Sequence, residues 1–267
     1  MNRKLNISGL QLADDLVAEG KAIFTFEEAR KFLDKSSTAT ANTLSRMVST
    51  GLVDRVRHGR YAIRQLGVLG TPAAAEDVSL AAGAAFAEIP HRIAYRTALD
   101  EHDVITHPSR VIQVASNSRV RAGLLSGRPL QVIWESLTSV GVGAVEAGPA
   151  QVSDLERTIL DAAKRPDLVG GATVLAEALV SAGCNLDIAK LTEYAKLLDC
   201  ARAIRRIGSI SDTMEIAGLS GNLRPLKPIS SDLNLERGLS ASCAWRDSRW
   251  RVRWPWTPDE ILSVIAQ

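Results

Sequence analysis

Asn42 and Arg46 stand four residues apart in a run of small polar residues, Ser37-Thr38-Ala39-Thr40-Ala41-Asn42-Thr43-Leu44-Ser45-Arg46. A carboxamide pairs bidentately with adenine, and a guanidinium with guanine or a phosphate. Shortly after them come Arg55, Arg57, His58 and Arg60, with Asp54 the sole acid between Arg46 and Arg64. Such a cationic run can straddle a phosphate backbone or enter a minor groove. The chemistry these residues point to is DNA recognition, with bases read by the first group and phosphates held by the second.

Positioning them requires a helix followed by a hairpin, and the surrounding residues predict both. Ile7, Leu10, Leu12, Leu16 and Val17 recur at roughly helical spacing, which predicts a first helix over Ser8–Glu19 with Gly20 as its stop. Thr25-Phe26-Glu27-Glu28 is a capping box opening a second helix that carries Phe26, Ala29, Phe32 and Leu33 inward. Ser36 or Ser37 caps the third. On it Ala41, Leu44 and Val48, with Met47 beside them, form the expected core face. Ala39, Asn42, Thr43 and Arg46 form the expected reading face. Gly51 ends that helix, and two short strands follow around a His58-Gly59 turn. The order is that of a winged helix-turn-helix. Its candidate DNA-contacting residues are Ser37, Thr38, Ala39, Asn42, Thr43, Arg46, Arg55, Arg57, His58 and Arg60.

The whole chain, 267 residues with net charge +2, is too mildly basic to announce a nucleic-acid partner by composition. Its length admits two domains. Leu66 to Ala75 mixes glycine, proline and small residues, so we expect a DNA-binding domain over 1–68, a linker over 69–77 and a larger domain over 78–267. No apolar run is long enough to span a bilayer, and the start has no apolar signal core, which sets the expected location in the cytoplasm. Three scattered cysteines and four histidines without ligand spacing give no metal site and no disulfide framework, and no cofactor is implied.

Beyond residue 78 the pattern predicts α+β. Helices are expected over Val78–Ile89, Ala94–His102, from a Ser153/Glu156 capping box, over Gly171–Ala182, Asp187–Leu198, Ala201–Ala217 and Pro258–Ala266. Strands are expected at Arg110–Ser116, Leu130–Trp134, Val140–Val145, Ala241–Trp245 and Arg249–Trp254. Asp154, Glu156 and Asp161 suggest an acidic metal set for a nuclease. Yet two of them lie two apart on a helix, and Glu156 has a capping role, so the chain is read as no enzyme. Phosphate-loop, dinucleotide and nucleophile–base motifs are missing from it as well. Trp245, Trp250, Trp254 and Trp256, interleaved with Arg246, Arg249, Arg251 and Arg253, suit a core or an interaction surface equally.

Two segments of the larger domain resemble AbiEi-type antitoxins. One is Ala94-Tyr-Arg-Thr-Ala-Leu-Asp-Glu-His-Asp-Val-Ile with Arg110-Val-Ile-Gln-Val-Ala. The other is Val152-Ser-Asp-Leu-Glu-Arg-Thr-Ile-Leu-Asp-Ala with Arg165-Pro-Asp-Leu-Val-Gly-Gly. Arg205-Arg206-Ile207-Gly208 is similar to that family's Arg-Arg-hydrophobic-Gly helix, while the Ser209–Glu215 continuation and the Trp/Arg-rich end depart from its pattern. The resemblance implies an antitoxin of a bacterial type IV toxin–antitoxin system. In that family the winged helix represses its own operon by binding inverted repeats in double-stranded DNA. The C-terminal domain opposes a co-encoded nucleotidyltransferase-like toxin, often without a stable complex. The competing expectation is a stand-alone winged-helix regulator whose C-terminal domain senses a ligand or partner.

Overall fold

A computed structural model describes residues 7–64, 78–121, 123–125, 127–148, 150–236 and 243–265. The linker expected over 69–77 lies outside them. The chain begins with α1 (Ile7–Ala18), β1 (Ile23–Thr25), α2 (Phe26–Leu33), α3 (Ser37–Thr50), β2 (Val53–Arg57) and β3 (Arg60–Ile63). The capping box forms as expected: Thr25 Oγ1 accepts from the Glu28 amide at 3.1 Å, and the Thr25 amide donates to Glu28 at 2.7 Å. Those bonds hold the Glu28 carboxyl below its usual range, the Thr25 amide contributing most. Ser36 caps α3 through the Ala39 amide, and Gly51 closes it in the left-handed conformation. Leu12, Leu16, Phe24, Ala29, Leu44, Met47, Val53 and Tyr61 close one apolar core, with the Phe24 and Tyr61 rings stacked at 5.7 Å. Phe32, expected inward, is exposed, as is Val17 on α1.

The chain continues through α4 (Val78–Phe86), β4 (His91–Ile93), α5 (Tyr95–Glu101), β5 (Ile112–Ser116), β6 (Leu124–Leu125), β7 (Arg128–Trp134), α6 (Leu137–Gly141), β8 (Ala144–Ala147) and β9 (Ala150–Ser153). Then come α7 (Leu155–Lys164), α8 (Pro166–Val169), α9 (Ala172–Ala182), α10 (Ile188–Leu197), α11 (Ala201–Thr213), β10 (Leu233–Asn234), β11 (Trp245–Asp247), β12 (Val252–Trp254) and α12 (Pro258–Ile265). The fold is α+β, with sheets of order β1-β3-β2, β6-β7-β5-β4-β9-β8 and β10-β12-β11. Val140, expected in a strand, lies in α6, and the strand begins only at Ala144.

Two compact units divide the described chain. One comprises 1–93, 110–137 and 146–151, the other 94–109, 138–145 and 152–267. The first therefore holds the winged helix together with α4 and β4 to β7. In the second, α7 is the buried centre. Arg157 on it is fully buried and donates to Asp161 at 3.0 Å and to the carbonyls of Ser139 and Val142 at 2.8 and 3.0 Å. The helix cap is Asp154, which accepts from the Arg157 amide at 2.8 Å, and not the expected Ser153.

The Arg205-Arg206-Ile207-Gly208 segment has a packing role in that unit. Arg205 donates to the carbonyls of Trp250, Ser231 and Arg251, and Arg206 to those of Ala163 and Asn234. A Cβ at 208 would overlap the Trp250 indole, so glycine lets that ring lie against α11. Trp250 and Trp254 are fully buried, and their indole N–H groups donate to Asp212 and Ser209. The tryptophan-rich end is thus largely core, with Arg246 and Arg251 held by Asp232 and Arg249 by Asp212.

Candidate nucleic-acid interface

The face of α3 turned to solvent is rotated from the expected one. Thr40, Thr43, Leu44 and Met47 are buried, while Thr38, Ala41, Asn42, Ser45, Arg46, Val48 and Ser49 are exposed. Thr43, expected on the reading face, is 6% exposed and donates its hydroxyl to the Ala39 carbonyl at 3.0 Å. Ala39 is half-buried, and Ala41 and Val48, expected inward, face out. The reason is that threonine methyls at 40 and 43 complete the stripe that Leu44 and Met47 begin, at helical spacings of three and four. Asn42 and Arg46 remain on the outer face as expected, and Ser37 and Thr38 are exposed at its start.

The hairpin divides its arginines between two sides. Arg55 pairs with Tyr61, but Arg57 pairs with Arg60, so the register slips by one residue at Val56. A bulge of this kind re-aims the side chains beyond it. Arg55 stays exposed, with its Nη2 3.3 Å from His58 Nδ1. Arg57 turns to the end of α4 and donates Nε to the Ala85 carbonyl at 3.1 Å. Arg60 donates to the Ala84 carbonyl at 3.4 Å and pairs with Glu88 at 3.1 Å. Carbonyls in a last helical turn lack intrahelical donors and favour cations, which accounts for both bonds. Burial pulls the Arg57 guanidinium below its ordinary pKa, with Arg60 adding to the shift. Arg57 and Arg60, expected at the wing tip, are therefore fastened within the unit.

The outer edge of the hairpin is also covered. The Gly123 amide donates to the Val56 carbonyl at 2.9 Å, and a Cβ at 123 would overlap the Arg55 carbonyl. Asp54, the one acid of the wing, is 2% exposed and accepts from the Gly127 amide at 2.6 Å and from Arg64. Its charge is spent inside, so Arg46 and Arg55 set the sign of the outer surface. Between α3 and the hairpin lies an open groove of about 540 Å³, lined by Ala41, Ser45 and Val48 on one side and Arg55, His58 and Tyr61 on the other, with Phe26 and Glu27 at the end. Ala41, Ser45 and Val48 were not among the sequence candidates. The signal that would have found them is the spacing of Leu44 and Met47, extended backwards to 43 and 40.

Residues 11–64 match the family model described as "Transcriptional regulator, AbiEi antitoxin". This AbiEi-matching segment contains α2, α3 and the hairpin, and so every sequence-predicted DNA-contacting residue. Over the entire chain, the fold is similar to that of the RV2827C protein from Mycobacterium tuberculosis, with TM-score 0.69 and 14% identity, covering 100% of this chain and 97% of that one. At that identity the likeness is one of fold. No curated protein matches in sequence.

The acidic set read as a nuclease alternative is occupied by protein cations. Lys190 Nζ lies 3.1 Å from Asp154 and 3.0 Å from Glu156, and Tyr194 donates to Asp154 at 2.9 Å. The hydrogen bond to Glu156 above all raises the Lys190 pKa, while burial pushes Tyr194 up to about 12. Asp161 is held by Arg157. Among the described residues no cluster of histidine, cysteine and carboxylate groups could hold a metal, and no helix is long and apolar enough to cross a membrane.

Proposed function

We propose that this chain is a cytoplasmic antitoxin and autorepressor: residues 1–68 bind inverted repeats in the promoter of its own operon, and residues 78–267 oppose a co-encoded nucleotidyltransferase-like toxin. The observation that carries the DNA half is the exposed pair Asn42 and Arg46 on a small-residued helix face beside Arg55 and His58, all within the segment matching a transcriptional-regulator family. A helix face without bulk can approach base edges, and flanking cations hold phosphates. The antitoxin half rests on the same family match and on the segment resemblances. No catalytic role is assigned to the chain, whose candidate acids are already paired.

Two measurements test it. The full chain should retard its own promoter fragment and repress a reporter driven by it, and an Asn42/Arg46 double alanine variant should do neither. Co-expression with the adjacent toxin gene should restore growth; failure of the full chain to do so removes the antitoxin half. A second reading, a ligand-sensing regulator, is favoured by an open cavity of about 900 Å³ in the second unit, where Lys164, Arg202 and Arg253 line the wall. Promoter binding that requires an added anionic metabolite would select that reading.

A further inference from the structure

We propose that the groove beside α3 reads the 5-methyl group of thymine, so that the DNA selected by this chain carries thymine where Ala41 and Val48 face it. The inference rests on the DNA-binding reading above and adds to it the base that is read. Ala41, Ser45 and Val48 follow one another at spacings of four and three, so they form one stripe along α3. Asn42, Arg46 and Ser49 form the neighbouring stripe at the same spacings. The polar stripe carries most of the donors and acceptors, and the other is small, with the methyl groups of Ala41 and Val48 on either side of the Ser45 hydroxyl.

Val48 is 37% exposed on a helix whose other large apolar residues, Leu44 and Met47, are 1% exposed. It faces the groove, not the core. The phenyl group of Phe26 and the ring of Tyr61 line the same space, so the groove between Arg55, His58 and Ser45 has an apolar floor. Of the four bases, only thymine presents a methyl group in the major groove, and its usual protein partners are apolar contacts of this kind. The cationic rim suits a polyanion. Glu27, the acid at the end of the groove, already holds the Arg30 guanidinium at 2.9 Å and so does not oppose one. The hairpin wall is fixed by the Gly123–Val56 hydrogen bond and by Arg57 on Ala85, which keeps the groove width set before DNA arrives.

The experiment selects duplexes from a randomised pool with the full chain, then replaces each thymine of the selected sequence in turn by deoxyuridine. Affinities are read by fluorescence anisotropy for the wild type, Val48→Ser and Ala41→Ser. Loss of one buried methyl weakens binding about fourfold. We expect that loss at one or two positions for the wild type, and a thymine-to-uracil ratio near one at the matching position for Val48→Ser or Ala41→Ser. Both substitutions are on the surface, so circular dichroism should be unchanged. Uracil duplexes bound as tightly as thymine duplexes, or a ratio left at its wild-type value in both variants, would overturn the inference while leaving DNA binding intact. Retention of DNA without an enriched sequence would overturn it too. A chain that retains no duplex at all would remove the DNA-binding reading with it and leave the groove to a protein partner.

Discussion

Arg57 Nε donates to the Ala85 carbonyl at 3.1 Å, while Arg55, two residues earlier on the same strand, is exposed beside His58. A one-residue bulge at Val56 separates the two fates. Each phosphate neutralised contributes about 0.9 to the slope of log affinity against log salt. Arg55→Ala should therefore flatten that slope by about one phosphate's worth. Arg57→Ala should leave it unchanged and instead lower stability by about 1 kcal/mol, the ordinary worth of a hydrogen bond. Salt titrations of DNA binding and urea unfolding of the two variants check both halves. Equal slopes for the variants would refute the division.

Asn42 and Arg46 should carry sequence preference, and Thr43 should not. Removing a good bidentate contact costs about 1–3 kcal/mol of discrimination at one base pair. Asn42→Ala or Arg46→Ala should lose that much on the selected duplex and less on a scrambled one. Thr43→Val keeps the buried shape and removes only a hydroxyl bonded within its own helix. The same competition assay should give it the wild-type preference.

Gly208→Ala should destabilise the second unit, because the added methyl overlaps the indole of the buried Trp250. Overpacking of this kind costs about 1–3 kcal/mol. Guanidinium unfolding followed by tryptophan fluorescence should show an earlier midpoint. A midpoint matching the wild type would mean that the indole can move aside.

His91 should make the first unit less stable in mild acid. Its Nδ1–H donates to the Ile89 carbonyl at 2.8 Å, its ring packs 5.4 Å from Phe86, and Nε2 is buried with no partner among the described residues. Burial holds its pKa below the ordinary 6.5. The unfolded chain then takes up the proton first as pH falls. The contribution to stability is complete above the unfolded value and is lost as pH drops from there toward the folded one. Melting temperatures at pH 7.5 and 5.5 should fall further for the wild type than for His91→Gln. An identical drop in both would assign the acid sensitivity elsewhere.

Much of residues 7–64 was legible because local rules govern them. Thr25 and Glu28 meet because they are three apart, Ser36 caps because its hydroxyl reaches the Ala39 amide, and Gly51 stops a helix because it tolerates a positive φ. The helices over 95–101, 172–182, 188–197 and 201–213 followed their periodicity for the same reason. Short strands such as β4 and β6 did not, since two or three residues carry no period and exist only through a neighbour's hydrogen bonds.

By itself, the sequence determined the order of elements in the winged helix, its caps, and the presence of Asn42, Arg46, Arg55 and His58 on one side of it. Tertiary structure alone decided which way α3 is turned and which arginines stay free. The first depends on threonine, whose methyl fills a core position while its hydroxyl bonds to its own helix, so polarity misled at Thr40 and Thr43. The second depends on α4, whose end carbonyls, more than twenty residues along the chain from the wing, claim Arg57 and Arg60. A local pattern places charge on an element; the acceptors that capture it come from wherever the chain folds back.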